Sequence, residues 1–522
     1  MQRQWNLIAI VACCLLMCNL NVLHVNADGT TQKAVPLASA NSTSTTTKPA
    51  TTKAPVTTQK PKIKIADSDL CKKKCSCDLE YFQIDCSGKS MKSLFTKDDW
   101  NTLQNGDVIF TTIKLNNNSI SHIPILPSYP VENLYLSFNQ INNITLGAFQ
   151  NLTKLTKLDL SHNNLTKKAL QPDVFKGPYA TDKYEPLNSL IELDLAHNEL
   201  HSLHGDLFEH LPNLEILILC ENVFQVIDTS TLVALASLSS VKTLDMSFME
   251  LSDLPETIFH SPNKLETLLL SGNLFREVPV ALKWVKNLKK LVLDENLFGD
   301  FVKGNFTQNL ETLEYLSISF LPDTTKIGPG ALNVFTNLTT LIASDNPHLS
   351  SIHELAFTKD TANPEIFVYP PLTQLYLNNN NLSVVERNWF VRWDKITTID
   401  LRFNPWSCDC NNRYLIHTLI KQINTTSGPL TPEILCATPS AWKGKSLIQL
   451  STDNKELICE NTNSPGGDGV ILISILVGVL IGIPVTLGAL VLYRRGCFGL
   501  LNRVNPRAPG YNRASFADDF HI

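Results

Sequence analysis

The segment 155-LTKLDLSHNNL-165 returns as 190-LIELDLAHNEL-200 and again as 265-LETLLLSGNLF-275. All three read L-x-x-L-x-L-x-x-N-x-L, with Phe275 in the last slot of the third. With the Asn slot as phase marker, the pattern falls at Asn118, Asn139, Asn163, Asn198, Asn222, Met249, Asn273, Asn296, Leu321, Asn346, Asn380 and Asn404, which makes twelve repeats over residues 108–403. The L-x-L core has the two-residue period of a strand. One such strand cannot bury its leucines alone, so each repeat needs neighbours above and below, and stacking builds a parallel sheet. The recurrent Asn stands where the chain leaves the strand, and its amide can satisfy backbone groups that no ladder reaches. Met249 and Leu321 forfeit that service, so repeats six and nine are expected to be locally irregular. The long steps from Asn163 to Asn198 and from Asn346 to Asn380 carry insertions that should bulge without disturbing register.

Twelve in-phase copies resemble the extracellular leucine-rich-repeat family, over about 390 of the 522 residues once flanking cysteine clusters are included. The resemblance implies an α/β solenoid, a curved horseshoe with a concave parallel β-sheet, cysteine-capped ends and one transmembrane helix. Cys71, Cys75, Cys77 and Cys86 precede the repeats, with no His near enough to suggest zinc. Disulfides are the expected use in a secreted chain, although four cysteines permit three connectivities. The family's N-terminal cap implies Cys71 with Cys77 and Cys75 with Cys86. After the last repeat, 404-NPWSCDC-410 resembles the C-terminal cap, which implies Cys408 with Cys436 and Cys410 with Cys459.

The domain order expected is a signal peptide (1–27), a Thr/Pro/Lys-rich leader (28–66), the N-terminal cap (67–107), the repeats (108–403), the C-terminal cap (404–460), a linker (461–469), a membrane span (470–493) and a tail (494–522). Leu7–Cys18 is too short to span a bilayer comfortably and is followed by the small-residue spacing Val25-Asn26-Ala27, which favours cleavage over an uncleaved anchor. The leader has almost nothing to bury and reads as a disordered or mucin-like, O-glycosylated extension. Val470–Tyr493 carries no charge and is followed by Arg494 and Arg495, so a type I plasma-membrane protein with its N-terminus outside is expected. N-x-S/T sequons at Asn41, Asn117, Asn143, Asn151, Asn164, Asn305, Asn337, Asn381 and Asn424 all precede the span.

A formal charge of −5 is too mild for nucleic acid, and no catalytic or phosphate-binding motif is present, so an enzyme is not expected and no cofactor is implied. Asp159 with His162 and Asp194 with His197 occupy equivalent slots of adjacent repeats and would stack about 5 Å apart. That arrangement suits a metal or a pH sensor, but it is also an ordinary filling of the repeat, so no metal site is assigned. Cys220 replaces the Ser found in the same slot elsewhere, and reads as a small-residue substitute, or else as an intermolecular disulfide or reactive thiol.

Twelve strands make a sheet on the order of 50 Å long, large enough to embrace a folded domain. Its outward slots hold Ile218, Leu269, Val292 and Ile342, joined by Phe248, Tyr315 and Phe320. Gathered apolar side chains of this kind mark a ligand face, unless they serve only β propensity. In the tail, Cys497 is a candidate for palmitoylation, and Phe520-His521-Ile522 a candidate PDZ-binding terminus. The expected function is that of a cell-surface receptor or adhesion molecule recognising a protein ligand, monomeric or as a homodimer. The alternatives are an innate-immune receptor or co-receptor similar to Toll ectodomains, and a matrix- or growth-factor-binding modulator.

Overall fold

The computed structural model describes residues 63–177, 186–307, 310–359, 367–389, 395–458, 480–488 and 490–491. Twelve short strands, one per repeat from Thr112–Lys114 to Thr398–Asp400, pair parallel and in register, and a hairpin, Ser76–Asp78 with Gln83–Asp85, extends them to a fourteen-stranded sheet. The two inner slots of the L-x-L segment are leucine, isoleucine, methionine or alanine throughout and point into one continuous core, with Leu158, Leu193, Leu217, Leu268 and Leu291 fully buried. Both insertions leave register intact, since Lys157 pairs Glu192 and Thr340 pairs Gln374.

The slot asparagines form a bonded column. Asn163 Nδ2 donates to Leu160 O of its own repeat (3.1 Å) and to Leu136 O of the repeat before (3.1 Å), while its Oδ1 accepts from Ile141 N (2.9 Å). Where two slot asparagines adjoin, the carbonyl is reached twice, as Leu136 O is by Asn139 and Asn163; beside Met249 and Leu321 one asparagine still reaches it. That redundancy corrects the expectation for repeats six and nine: the strands Thr243–Asp245 and Tyr315–Ser317 keep full register with both neighbours. Asn273 covers for Met249, donating to Met246 O (2.9 Å) and accepting from both Met249 N (3.2 Å) and Leu251 N (3.0 Å). The turn after the repeat-six strand carries an added left-handed residue, Glu250 (φ 57°), and that of repeat five carries Gln225 (φ 59°).

Both ends are covered. In the N-terminal cap Cys71 is bonded to Cys77 and Cys75 to Cys86, and the helix Lys97–Gln104 starts with a reciprocal Thr96–Asp99 capping box. Lys74 Nζ reaches Asp99 at 2.8 Å and ties the two halves of the cap together. At the other end Cys408 is bonded to Cys436, and the fully buried Trp406 donates its indole N–H to Leu401 O (2.8 Å). Cys410 is also disulfide-bonded, and Cys459 lies outside the described residues.

The signal peptide, residues 28–62 of the leader with Asn41, most of the expected span, Cys497 and Phe520-His521-Ile522 also lie outside the described residues, while residues 63–66, expected as leader, belong to the cap instead, with Ile63 bridged to Gly106 and Ile65 fully buried. Residues 480–488 and 490–491 are helical, and among the described residues no helix is long and apolar enough to cross a membrane.

Candidate functional site

Side chains leave the outward face of the sheet in fixed rows. The row between the two buried strand positions runs, in bonded order, Lys114, Tyr135, Asp159, Asp194, Ile218, Asp245, Leu269, Val292, Ser317, Ile342, Tyr376, Asp400. Ile218, Leu269, Val292 and Ile342 are all half-exposed, but only Leu269 and Val292 adjoin. Asp245 separates Ile218 from Leu269, and Ser317 separates Val292 from Ile342. The apolar surface is a central strip interrupted by polar residues rather than an unbroken patch. Tyr315 lies half-buried beside it, with Lys290 Nζ 4.9 Å from its ring centroid.

A second row comes from the residue just before each slot asparagine, and its geometry is not visible in the repeat consensus. At all twelve positions that residue is left-handed, from Asn117 (φ 54°) through His162 and His197 (51°) to Phe403 (58°), with Gly272 (63°) the only glycine. The turn lifts these side chains out of the sheet. Phe138, His162 and His197 stack as parallel rings, at centroid distances of 3.9 and 3.8 Å. Phe248 and Phe320 belong to the same row, Phe248 half-exposed and Phe320 exposed.

The stack decides the Asp–His cluster. Rings lying face to face do not turn two nitrogens onto one ion, and among the described residues no group of three or more His, Cys, Asp or Glu is placed to hold a metal. Burial, followed by the neighbouring His162, lowers the His197 pKa to about 4, and burial lowers that of His162 as well. Asp159 and Asp194 are register partners, and burial, then the Asp159 charge, pushes the Asp194 carboxyl up to about 7. Cys220, in no disulfide, is only 2% exposed and hydrogen-bonded to Asp245, which fits the small-residue role.

Of the sequons among the described residues, Asn117, Asn143, Asn164, Asn337, Asn381 and Asn424 are exposed, and Asn151 and Asn305 half-buried. Asn117 stands in the left-handed row at the first repeat, and no sequon occurs between Asn164 and Asn305.

A parallel sheet of about twelve turns, a bonded asparagine column and disulfide-bonded ends have the architecture of a leucine-rich-repeat fold, and residues 130–178 and 188–241 match the leucine-rich repeat family model. Relatives include osteomodulin of Mus musculus, 27% identical over 277 residues (53% of this chain, 57% of osteomodulin), and CD180 antigen of Mus musculus, 27% identical over 311 residues (58% and 39%). Lumican of Coturnix japonica is 30% identical over 224 residues (40% and 63%). The chain thus spans little more than half the length of osteomodulin and less than half of CD180 antigen. Among solved structures, a chain of the octameric complex of latrophilin 3, Unc5D and FLRT2 aligns over 72% of this chain and 95% of its own, at 19% identity and TM-score 0.38. The leucine-rich repeat domain of APL1B aligns over 53% and 70%, at 23% identity and TM-score 0.37.

Proposed function

We propose that this is a cell-surface receptor or adhesion protein that binds a protein ligand on the outward face of its strand array and has no catalysis of its own. The observation that carries the reading is the half-exposed Leu269–Val292 pair at the middle of the sheet, with Phe248 and Tyr315 beside it. Aliphatic and aromatic side chains held on rigid strands lose little entropy on binding and make effective interface anchors. Membrane attachment through Val470–Tyr493, with the repeats outside, is part of the proposal. Leu480, Ile481, Ile483 and Val485 support it, since this helical stretch turns each of them more than half outward, as a lipid-facing segment would.

The test is a screen of tagged extracellular proteins against cells displaying the full-length chain, with the Leu269→Glu/Val292→Glu variant alongside. A ligand that binds the wild type should lose at least about a hundredfold in affinity on the variant, because an uncompensated charge buried against an apolar partner costs several kcal/mol. Surface display should be unchanged, since neither side chain enters the core. A well-displayed variant that binds its ligand at full strength would move the site to a cap, an edge or a glycan. An epitope at Ile522 should be stained only after permeabilisation, and the opposite result would remove the membrane topology.

A further inference from the structure

The Leu269–Val292 strip lies in an acidic surround. On the outward positions of repeats five to eight, from Ile216 to Glu295, stand the carboxylates Glu221, Asp245, Asp294 and Glu295 against a single lysine, Lys290. We propose that the occupant of this face is a basic segment of a protein, a run of lysine and arginine side chains whose charges meet these carboxylates while their stems lie on the apolar strip. The proposal rests on the reading of the strand face as the ligand surface, and adds the chemistry of the partner.

Three observations support it. Asp245, Asp294 and Glu295 are held beside few cations: burial pushes Asp294 up to about 6, raises Asp245, and raises Glu295 with further help from Glu221, which itself lies 3.9 Å from His197 Nδ1. The groups facing them are mostly neutral. Asp294 accepts from Ser317 Oγ (2.8 Å) and Ser319 N (2.7 Å), and Asp245 from Ser247 N (2.9 Å) and Cys220. Lys290 is the cation acting on both, and its own pKa is lowered by burial. A basic partner would supply the missing positive charge.

The surface also suits the shape of the partner's side chains. Lysine and arginine lay their methylene stems along apolar surface and stack over aromatic rings, and here Phe248, Leu269 and Val292 provide the one and Tyr315 the other. Lys290 over the Tyr315 ring is an internal example of the contact. Access is open as well. The strand and turn positions of this face, from Ile216 to Glu295, lie in the sequon-free interval between Asn164 and Asn305; Asn305 itself stands on the return of repeat eight, beyond its strand and turn.

The experiment uses the full-length chain in detergent micelles and two labelled peptides, one of sixteen lysines and one of sixteen glutamines. The lysine peptide should bind and the glutamine peptide should not, with affinity falling about tenfold or more as salt rises from low to several times physiological. The variant Asp245→Asn/Asp294→Asn/Glu295→Gln should lose about tenfold or more at an unchanged melting temperature. Neutralising as many carboxylates off the face, in Glu80→Gln/Asp98→Asn/Glu386→Gln, should change binding less than about twofold. Should the first variant melt early, Glu221→Gln/Glu295→Gln changes only the turn row and should still lose about threefold.

Equal losses on and off the face, or equal binding of the two peptides, would overturn the proposal. A screened protein ligand separates it from the reading beneath. A ligand lost on Leu269→Glu/Val292→Glu but indifferent to the carboxylate variants keeps the face and removes the basic partner. Indifference to both removes both.

Discussion

The ring of Phe248 lies across Gly272, the residue one repeat further along the same left-handed row, so closely that a β-carbon on Gly272 would run into it. Eleven of the twelve residues in this row carry side chains at positive φ, so left-handed backbone alone does not require glycine there. The ring does. Gly272→Ala should therefore destabilise by about 1–3 kcal/mol, from displacement of Phe248 with a smaller backbone contribution. In Gly272→Ala/Phe248→Ala most of the added cost should disappear, leaving the double variant close to Phe248→Ala alone in a thermal melt. Additive losses in the double variant would mean that backbone strain, and not the ring, selects glycine.

The asparagine column predicts unequal costs at chemically identical positions. Replacing Asn163 by Leu strands Ile141 N, but Leu160 O keeps Asn198 and Leu136 O keeps Asn139. Replacing Asn273 strands Met249 N and Leu251 N together and leaves Met246 O with no slot-asparagine donor, because Met249 has none to offer. Each buried group left unpaired costs about 1–3 kcal/mol. Asn273→Leu should consequently lower the melting temperature, or the denaturant midpoint, clearly more than Asn163→Leu. Equal effects would show that the redundancy of the column carries no energetic weight.

The leucine slots, the register across both insertions and the asparagine column were legible in the sequence because a single requirement, burial of one strand's leucines by the next, repeats in phase. The left-handed row was not. Its fillings include Phe, His, Glu, Asn and Asp, with no shared chemistry, because the positive φ is imposed by the turn off the sheet and not by the residue. Gly272 was the one visible hint. The ring stacking of His162 on His197 depends on that turn, so sequence placed the pair together but could not orient it. Ile218, Leu269, Val292 and Ile342 stand in the row between the buried strand positions, and their interruption by Asp245 and Ser317 emerges only when the slots are read in bonded order.

Two neighbouring groups should give opposite pH slopes to stability. Asp194 has its pKa raised to about 7 from an ordinary value near 4, so its contribution is full below about pH 4 and is lost as pH rises toward 7. His197 is depressed to about 4 from an ordinary value near 6.5, so its contribution is full above about pH 6.5 and is lost as pH falls toward 4. In the wild type the two offset each other. With Asp194→Asn, melting temperature should fall on acidification from pH 7 to 5; with His197→Phe, which keeps a ring in the stack, it should rise. The effect is bounded by about 1.4 kcal/mol per pKa unit and reduced by solvent screening of these part-exposed side chains, so a few degrees are expected. Parallel slopes in the two variants would refute the assignment.

The caps provide a ranked test. Cys408 and Cys436 are 1% and 3% exposed, lie 28 residues apart and hold the loop that carries Trp406 and the C-terminal helices against the last repeat. Cys71 and Cys77 are only 6 residues apart. If a disulfide acts chiefly by limiting the unfolded chain, the longer loop contributes about 3–4 kcal/mol and the shorter about 2. The replacement of Cys436 by Ser adds a further penalty, because Cys408 becomes an unpaired thiol buried against the core. Cys436→Ser should therefore reduce surface display and melting temperature more than Cys77→Ser. The double variant Cys408→Ser/Cys436→Ser removes the stray thiol, so recovery of display without recovery of melting temperature would assign the secretion defect to that thiol and the stability loss to the missing link. Unchanged melting in Cys436→Ser would instead mean that packing around Trp406 closes the array without the bond.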